Sequence, residues 1–360
     1  MPDHTFGVGM TDKRVSKTQA PKKLPRLGPK WSRESLNVWD SAIGFYRIWM
    51  IHLGRRYGLI RAMARSQKPI SPRELANELH LSEDSVRLWC DAAFSVGLLG
   101  EGATGYVLPV ELIPLLSDED DVSFMGGLPS YLALRSVDFE LFDQYFKAGK
   151  VPRVQPHLGE AFKEGTIWDH TAFLKLVLPH EPKLREGLRN GIKVLDIGSG
   201  AGGWSIRLAK QFPNSTFVGI DPDSNATTKG MLQVEEFDLK NVNLEVGNAE
   251  LMEFSGEFDA AYLGEVLCLI ASTERVLRSC FRALRSKGTL VICEGLVSKV
   301  QDARKTENQL VHAMQLDFAL QGGKFFTKGE LRNLLQSVGL RALRFYDVGG
   351  GLWFMLGQKP

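Results

Sequence analysis

The sequence predicts an α/β fold: a seven-stranded, mostly parallel, doubly wound sheet that ends in an antiparallel hairpin, preceded by a mainly helical domain. Three observations carry that prediction. Short apolar runs alternate with amphipathic stretches from Ile192 to Glu294, the pattern of parallel strands linked by crossover helices. A glycine-rich turn, Gly198 to Gly203, follows the first of these runs. Two later runs, Leu340–Val348 and Leu352–Leu356, are separated only by Gly349-Gly350-Gly351, so they must pair as antiparallel neighbours.

Length and composition bound what can precede that sheet. A chain of 360 residues is long enough for two domains. Its apolar share of 44% and charged share of 24% exclude a disordered chain. No run of about 18 apolar residues suggests a membrane span; the most apolar early segment, Ile43 to Leu53, is broken by Arg47 and His52. The N-terminus lacks an apolar secretion signal, and four scattered cysteines suggest neither a disulfide framework nor a zinc site, so a cytoplasmic location and no metal are expected. Net charge is only +2. The cations gather early, at Lys13, Arg14, Lys17, Lys22, Lys23, Arg26 and Lys30, within a Pro- and Gly-rich stretch. Residues 1–30 are therefore expected to form a flexible basic tail.

Residues 31–122 carry the signature of a winged helix. From Leu36 to Met63 apolar residues recur at helical spacing, with Gly44, Gly54 and Gly58 as places for close packing or breaks. Ser71 and Glu74 form a capping box, with Pro72 at the first helical position. Ser82 then caps a helix running to about Val96, and Gly97 to Leu108 reads as a short β wing. Such a domain often binds DNA. The second of these helices offers Arg87 alone against Glu83, Asp84 and Asp91, too little charge to neutralise phosphates. A packing or homodimer-forming role is expected instead. Residues 123–184 read as a helical linker that covers the substrate, and 185–360 as the sheet domain.

Within the sheet domain the segment Val194-Leu-Asp-Ile-Gly-Ser-Gly-Ala-Gly-Gly-Trp places a glycine turn between a strand and a helix. Glycines there let the backbone approach a ligand closely. The spacing of Gly198, Gly200 and Gly203 also satisfies a dinucleotide fingerprint, so an NAD-dependent oxidoreductase is one alternative. Asp196, just before the turn, would sit badly beside a diphosphate but suits the cationic amino end of S-adenosylmethionine. Asp221, ending the second strand in Gly219-Ile-Asp-Pro-Asp, can accept hydrogen bonds from both ribose hydroxyls.

Residues 192–294 are identified by these motifs as resembling the class I S-adenosylmethionine-dependent methyltransferases, with their Rossmann-like core. The resemblance implies that Gly198, Gly200 and Gly202 line the methionine and ribose of the cofactor. Asp221, with Pro222 beside it, would hold the ribose, Asn248 and Ala249 would meet the adenine, and Asp196 and Glu265 would lie at the methionine end. A winged helix before this core is similar to the plant-type O-methyltransferases and their microbial relatives. The stretch Leu158-Gly-Glu-Ala-Phe-Lys-Glu-Gly resembles their linker.

The resemblance implies in-line methyl transfer to a small-molecule acceptor, in which positioning supplies much of the catalysis. Plant-type enzymes carry His followed by Asp after the fourth strand; here Cys268 and Leu269 stand in that place. That departure leaves open another base, an acceptor atom of carbon, nitrogen or sulfur, or lost activity; the candidate substitute bases are His312, on a helix between the fifth strand and the last helix, and His170. Cys268 is a third candidate, although a lone cysteine in an apolar run usually packs as a small hydrophobe. The other alternative is a winged-helix regulator that binds DNA and senses S-adenosylmethionine.

Overall fold

A computed structural model describes residues 32–152 and 154–360; the expected basic tail over 1–30 lies outside them. The first helical stretch divides into α1 (Arg33–Arg56) and α2 (Leu59–Ser66), because Gly58 takes a φ of 75° and ends the helix. Gly54 is packed closely: a Cβ there would stand 2.6 Å from Trp89. Helix α3 (Pro72–Leu79) starts at the expected capping box, with Ser71 Oγ accepting from the Glu74 N–H and the Glu74 carboxylate from that of Ser71. Ser82 caps α4 (Glu83–Ser95). Strands β1 (Gly100–Gly102) and β2 (Gly105–Val107) then form an antiparallel hairpin. Ile60, Met63, Leu75, Trp89 and Leu98 supply the core beneath these elements.

The stretch that follows is helical: α5 (Leu112–Leu116), α6 (Gly127–Asp138), α7 (Phe142–Ala148), α8 (Leu158–Gly165), α9 (Ile167–Ala172) and α10 (Pro182–Asn190). Between α9 and α10 the backbone widens into a π-turn over Phe173–Val177.

The sheet domain then alternates strand and helix: β3 (Lys193–Ile197), α11 (Gly203–Gln211), β4 (Thr216–Asp221), α12 (Ser224–Glu236) and β5 (Val242–Val246). It continues with β6 (Phe258–Gly264), α13 (Thr273–Ala283), β7 (Leu284–Gly295), α14 (Thr306–Leu320), α15 (Lys328–Ser337), β8 (Arg341–Gly349) and β9 (Leu352–Gln358). The seven strands lie in the order β5-β4-β3-β6-β7-β9-β8, with only β9 antiparallel to its neighbours. Strand β7 begins at Leu284, well ahead of its apolar run Leu290-Val-Ile-Cys, because Leu284 pairs with Phe258 before an irregularity in the ladder.

Strand periodicity sorts side chains onto two faces. Leu195 and Ile197 of β3, Ala261 and Leu263 of β6, and Leu290 and Ile292 of β7 pack with α13 and α15. Val194, Tyr262, Val291 and Cys293 face the other way, with Trp204 and Leu208 of α11 and Phe173. Asp196 shares the parity of Val194, so the strand itself carries a carboxylate into this second layer. Arg135 of α6 is fully buried. It donates through Nη1 to Asp138 (2.7 Å) and through Nε and Nη2 to Asp317 of α14 (2.9 and 2.8 Å), while the Tyr131 hydroxyl donates to the other Asp317 oxygen at 2.6 Å. This ionic network ties α14 to α6, and the cluster of Cys268, Val311, Phe318 and Phe325 packs α14 against the loop that follows β6.

Candidate functional site

Three of the glycines after β3 take left-handed backbone angles: Gly198 at 71°, Gly200 at 53° and Gly202 at 72°. That geometry is costly for any residue with a Cβ. Space adds a second constraint at two of them. A Cβ on Gly198 would stand 2.5 Å from Val266, and one on Gly202 2.7 Å from Leu244, whereas the corresponding space at Gly200 is open. The turn is therefore tight beneath and free above, as a cradle for a flat ligand needs to be. The N–H groups of Gly198 and Ser199 donate to Ile220 O, at 2.8 and 3.1 Å, and lock the turn to the end of β4.

Asp221 completes that lock. One carboxylate oxygen accepts from Gly200 N–H and the other from Asp223 N–H, both at 2.8 Å. A carboxylate has about four lone-pair sites, so acceptor capacity remains for two ribose hydroxyls. Asp196 lies at the end of β3, where it accepts from Ser205 Oγ at 2.7 Å. Burial pushes its carboxyl up to about 7. Asn248 accepts from Glu250 N–H at 2.8 Å and so shapes a turn, with Ala249 half-buried beside it. Pro222 is exposed after β4. Glu265 follows β6 with a φ of 52°, and burial raises its carboxyl to about 7. All the residues expected to touch the cofactor thus lie at the C-terminal ends of β3 to β6, the edge where open α/β sheets bind ligands.

The candidate bases separate. His170 on α9 lies over the glycine helix, its Cε1 3.4 Å from where a Cβ on Gly203 would be. Arg207 of α11 ties α9 down by donating to Thr171 Oγ1 at 2.7 Å. Burial, with the Arg207 charge added, pulls the His170 imidazole down to about 3, far from the working range of a general base. His312 on α14 shares a hydrogen bond with Ser298 Oγ at 3.0 Å and keeps a second ring nitrogen 3.5 Å from Gln315 Nε2. Cys268 is buried and its thiol is pushed well above the ordinary range by burial, so it is held as a neutral thiol.

Two acidic residues that the sequence did not single out join this neighbourhood. Asp169 of α9 is 4% exposed and Glu294 at the end of β7 is fully buried. Glu294 accepts from the N–H of Leu267 at 2.6 Å, beside Cys268. The available signal was a charged residue closing the apolar run Leu290-Val-Ile-Cys-Glu. Trp204 packs face to face on Tyr262, with ring centroids 4.0 Å apart, which makes it part of the core.

Comparison with known proteins follows the same lines. A family described as a methyltransferase domain matches residues 188–339. The demethylmenaquinone methyltransferase of Listeria welshimeri is 27% identical over 184 residues, 46% of this chain and 76% of the relative. Human N-acetylserotonin methyltransferase, solved with S-adenosylmethionine, superposes with a TM-score of 0.67 at 17% identity, over 92% of this chain and 99% of its own. An O-methyltransferase family protein of Burkholderia thailandensis gives 0.60 at 14% identity, over 90% and 97%. None of these is an oxidoreductase or a DNA-binding regulator. Fold, glycine turn and relatives agree on a methyltransferase domain over residues 188–339. The likeness takes in the helical region, so the chain as a whole shares the fold of these O-methyltransferases.

Proposed function

We propose that the chain binds S-adenosylmethionine across the Gly198–Gly202 turn and positions a small acceptor against the cofactor's methionine end. The observation that carries this reading is the turn itself, with three left-handed glycines anchored to Asp221 through Gly200 N–H and open space above Gly200. The bound cofactor would supply an activated methyl group on a sulfonium. Asp221 would hold the ribose, with Pro222 beside it, and Asn248 and Ala249 would border the adenine. Asp196 and Glu265 would face the cationic amino end, where ionisation that burial penalises becomes favourable. Helix α14 would close over the acceptor, and His312 is the proposed base where the acceptor must lose a proton.

The first helices are proposed to form a winged helix used for homodimer formation. Arg87 supports this: the one basic residue of α4 is spent on Glu83 of its own helix, at 2.8 Å, while Leu88 remains 70% exposed. Among the described residues no helix is long and apolar enough to cross a membrane; the chain is proposed to act in the cytoplasm.

Calorimetric titration with S-adenosylmethionine tests the cofactor site. Tight binding is expected, and Asp221→Ala should weaken it at least ~tenfold by removing a charge-assisted hydrogen-bond acceptor. Absence of binding to the intact, folded protein would sink the reading.

A further inference from the structure

Glu265 lies beside Glu294, its N–H donating to the carbonyl of Cys293 at 2.8 Å; burial raises the carboxyls of Asp169 and Glu294, and repulsion adds to it, from Glu265 and Glu294 on Asp169 and from Glu265 on Glu294. Among the described residues, none of the three enters an ion pair with Lys, Arg or His. Two of their oxygens, Asp169 Oδ2 and Glu294 Oε2, are buried without any hydrogen-bond partner. Leu267, Cys268 and Leu269, in the turn against Glu294, bring no charge. Burying a carboxylate in this way is strongly disfavoured unless it is protonated or met by a cation. In the free protein, burial pushes Glu294 up to about 8 and Asp169 well above its usual range, so protons fill that role.

A protonated acid asks for a single acceptor, and three of them side by side would have to find three. One ammonium group, with three N–H donors and a positive charge, satisfies several carboxylates at once. A metal ion fits less well, because among the described residues no group of His, Cys, Asp and Glu has the arrangement to hold one. The cofactor's own amino group would be served from the C-terminal ends of β3 and β6, through Asp196 and Glu265. Asp169 on α9 and Glu294 on β7 belong to other elements.

We infer that the methyl acceptor carries a basic nitrogen, received as an ammonium by the free carboxylate oxygens of Asp169 and Glu294; this rests on the methyl-transfer reading of the site. Glu265 adds to the negative potential from the cofactor side. The recognised group need not be the atom that is methylated. A basic nitrogen orients the acceptor, and the distance from it to the nucleophile then decides what reaches the methyl group.

The test uses the full chain saturated with S-adenosylhomocysteine and three matched probe pairs: benzylamine and benzyl alcohol, phenethylamine and phenethyl alcohol, tryptamine and tryptophol. Each is titrated calorimetrically. At least one amine is expected to bind about tenfold or more tightly than its alcohol, a modest return for a desolvated charge pair. Asp169→Asn and Glu294→Gln should each erase most of that preference while S-adenosylhomocysteine still binds. The inference is overturned if no amine outbinds its alcohol, if both variants keep the preference, or if the amines compete with S-adenosylhomocysteine instead of binding beside it. Should either variant fail to fold, the comparison within the unaltered protein decides. Failure of the unaltered protein to bind S-adenosylhomocysteine would be a different result, since it removes the methyl-transfer reading before any amine is tried.

Discussion

If Asp196 receives the cofactor's amino group, cofactor binding must expel a proton. In the free protein burial holds the Asp196 carboxyl at about 7, so at mildly acidic pH it is mostly neutral. An ammonium group placed against it favours the carboxylate and lowers that value. Raising the pH therefore strengthens binding. For one site at about 7 that is fully ionised in the complex, the dissociation constant is inflated about 100-fold at pH 5 and about twofold at pH 7, a tightening of about 50-fold between them. Glu265, also at about 7, pushes in the same direction, so the observed slope should be no smaller. The range stops at pH 7 because the cofactor's own amino group begins to lose its proton near pH 8. The folded-state shift also has a stability sign. A carboxyl raised above its unfolded value costs the empty protein stability as pH climbs from about 4 to about 7, and the cofactor should restore it. The assay is calorimetric titration with S-adenosylhomocysteine at pH 5, 6 and 7, in pairs of buffers that differ in ionisation enthalpy. Affinity that stays flat over this range, with no buffer-dependent heat, would refute the reasoning. Asp196→Asn should remove at least a tenfold share of the pH dependence.

Two further outcomes follow from buried groups elsewhere. Arg135→Met leaves Asp317 buried with no cation, and should cost about 3–5 kcal/mol of stability in urea denaturation; the double variant Arg135→Met/Asp317→Leu should recover much of that, and additive losses would show that the pair is not coupled. All four cysteines are buried and free, so a maleimide should label the native enzyme slowly and without loss of methyl transfer; rapid inactivation protected by cofactor would instead give Cys268 a functional role.

Much of this architecture was legible because it is written in periodicity and in glycine. The alternation in Val194-Leu-Asp-Ile fixes which residues enter each layer, and the same alternation brings Asp196 to the glycine turn. Ser71 with Glu74 and Ser82 mark helix starts that the backbone uses. Gly349-Gly350-Gly351 forces the closing hairpin. The break at Gly58 and the early start of β7 were harder, since they depend on tertiary neighbours: Leu284 joins the sheet by pairing with Phe258. The cofactor side of the site lies on strand ends, where local sequence dictates position. The proposed acceptor side draws on α9, β7 and α14, which are far apart in the chain. Nothing local told Asp169 that Glu265 and Glu294 would be its neighbours, or that α9 would be drawn over α11 by Arg207.

The strand order has a consequence for how the polypeptide is made. Strand β8 pairs only with β9, and β9 alone joins it to β7. During synthesis β3 to β7 emerge first and can add to one another in turn, but β8 must wait without a sheet partner until the residues after Gly351 leave the ribosome. The hairpin then inserts as one unit, setting Leu356 beside Val291 and Phe354 beside Cys293 to extend the apolar face of the sheet. A nascent chain arrested just past Gly349 would expose the edge of β7 and that apolar face together, so this is the stage at which a trigger-type chaperone has most to shield.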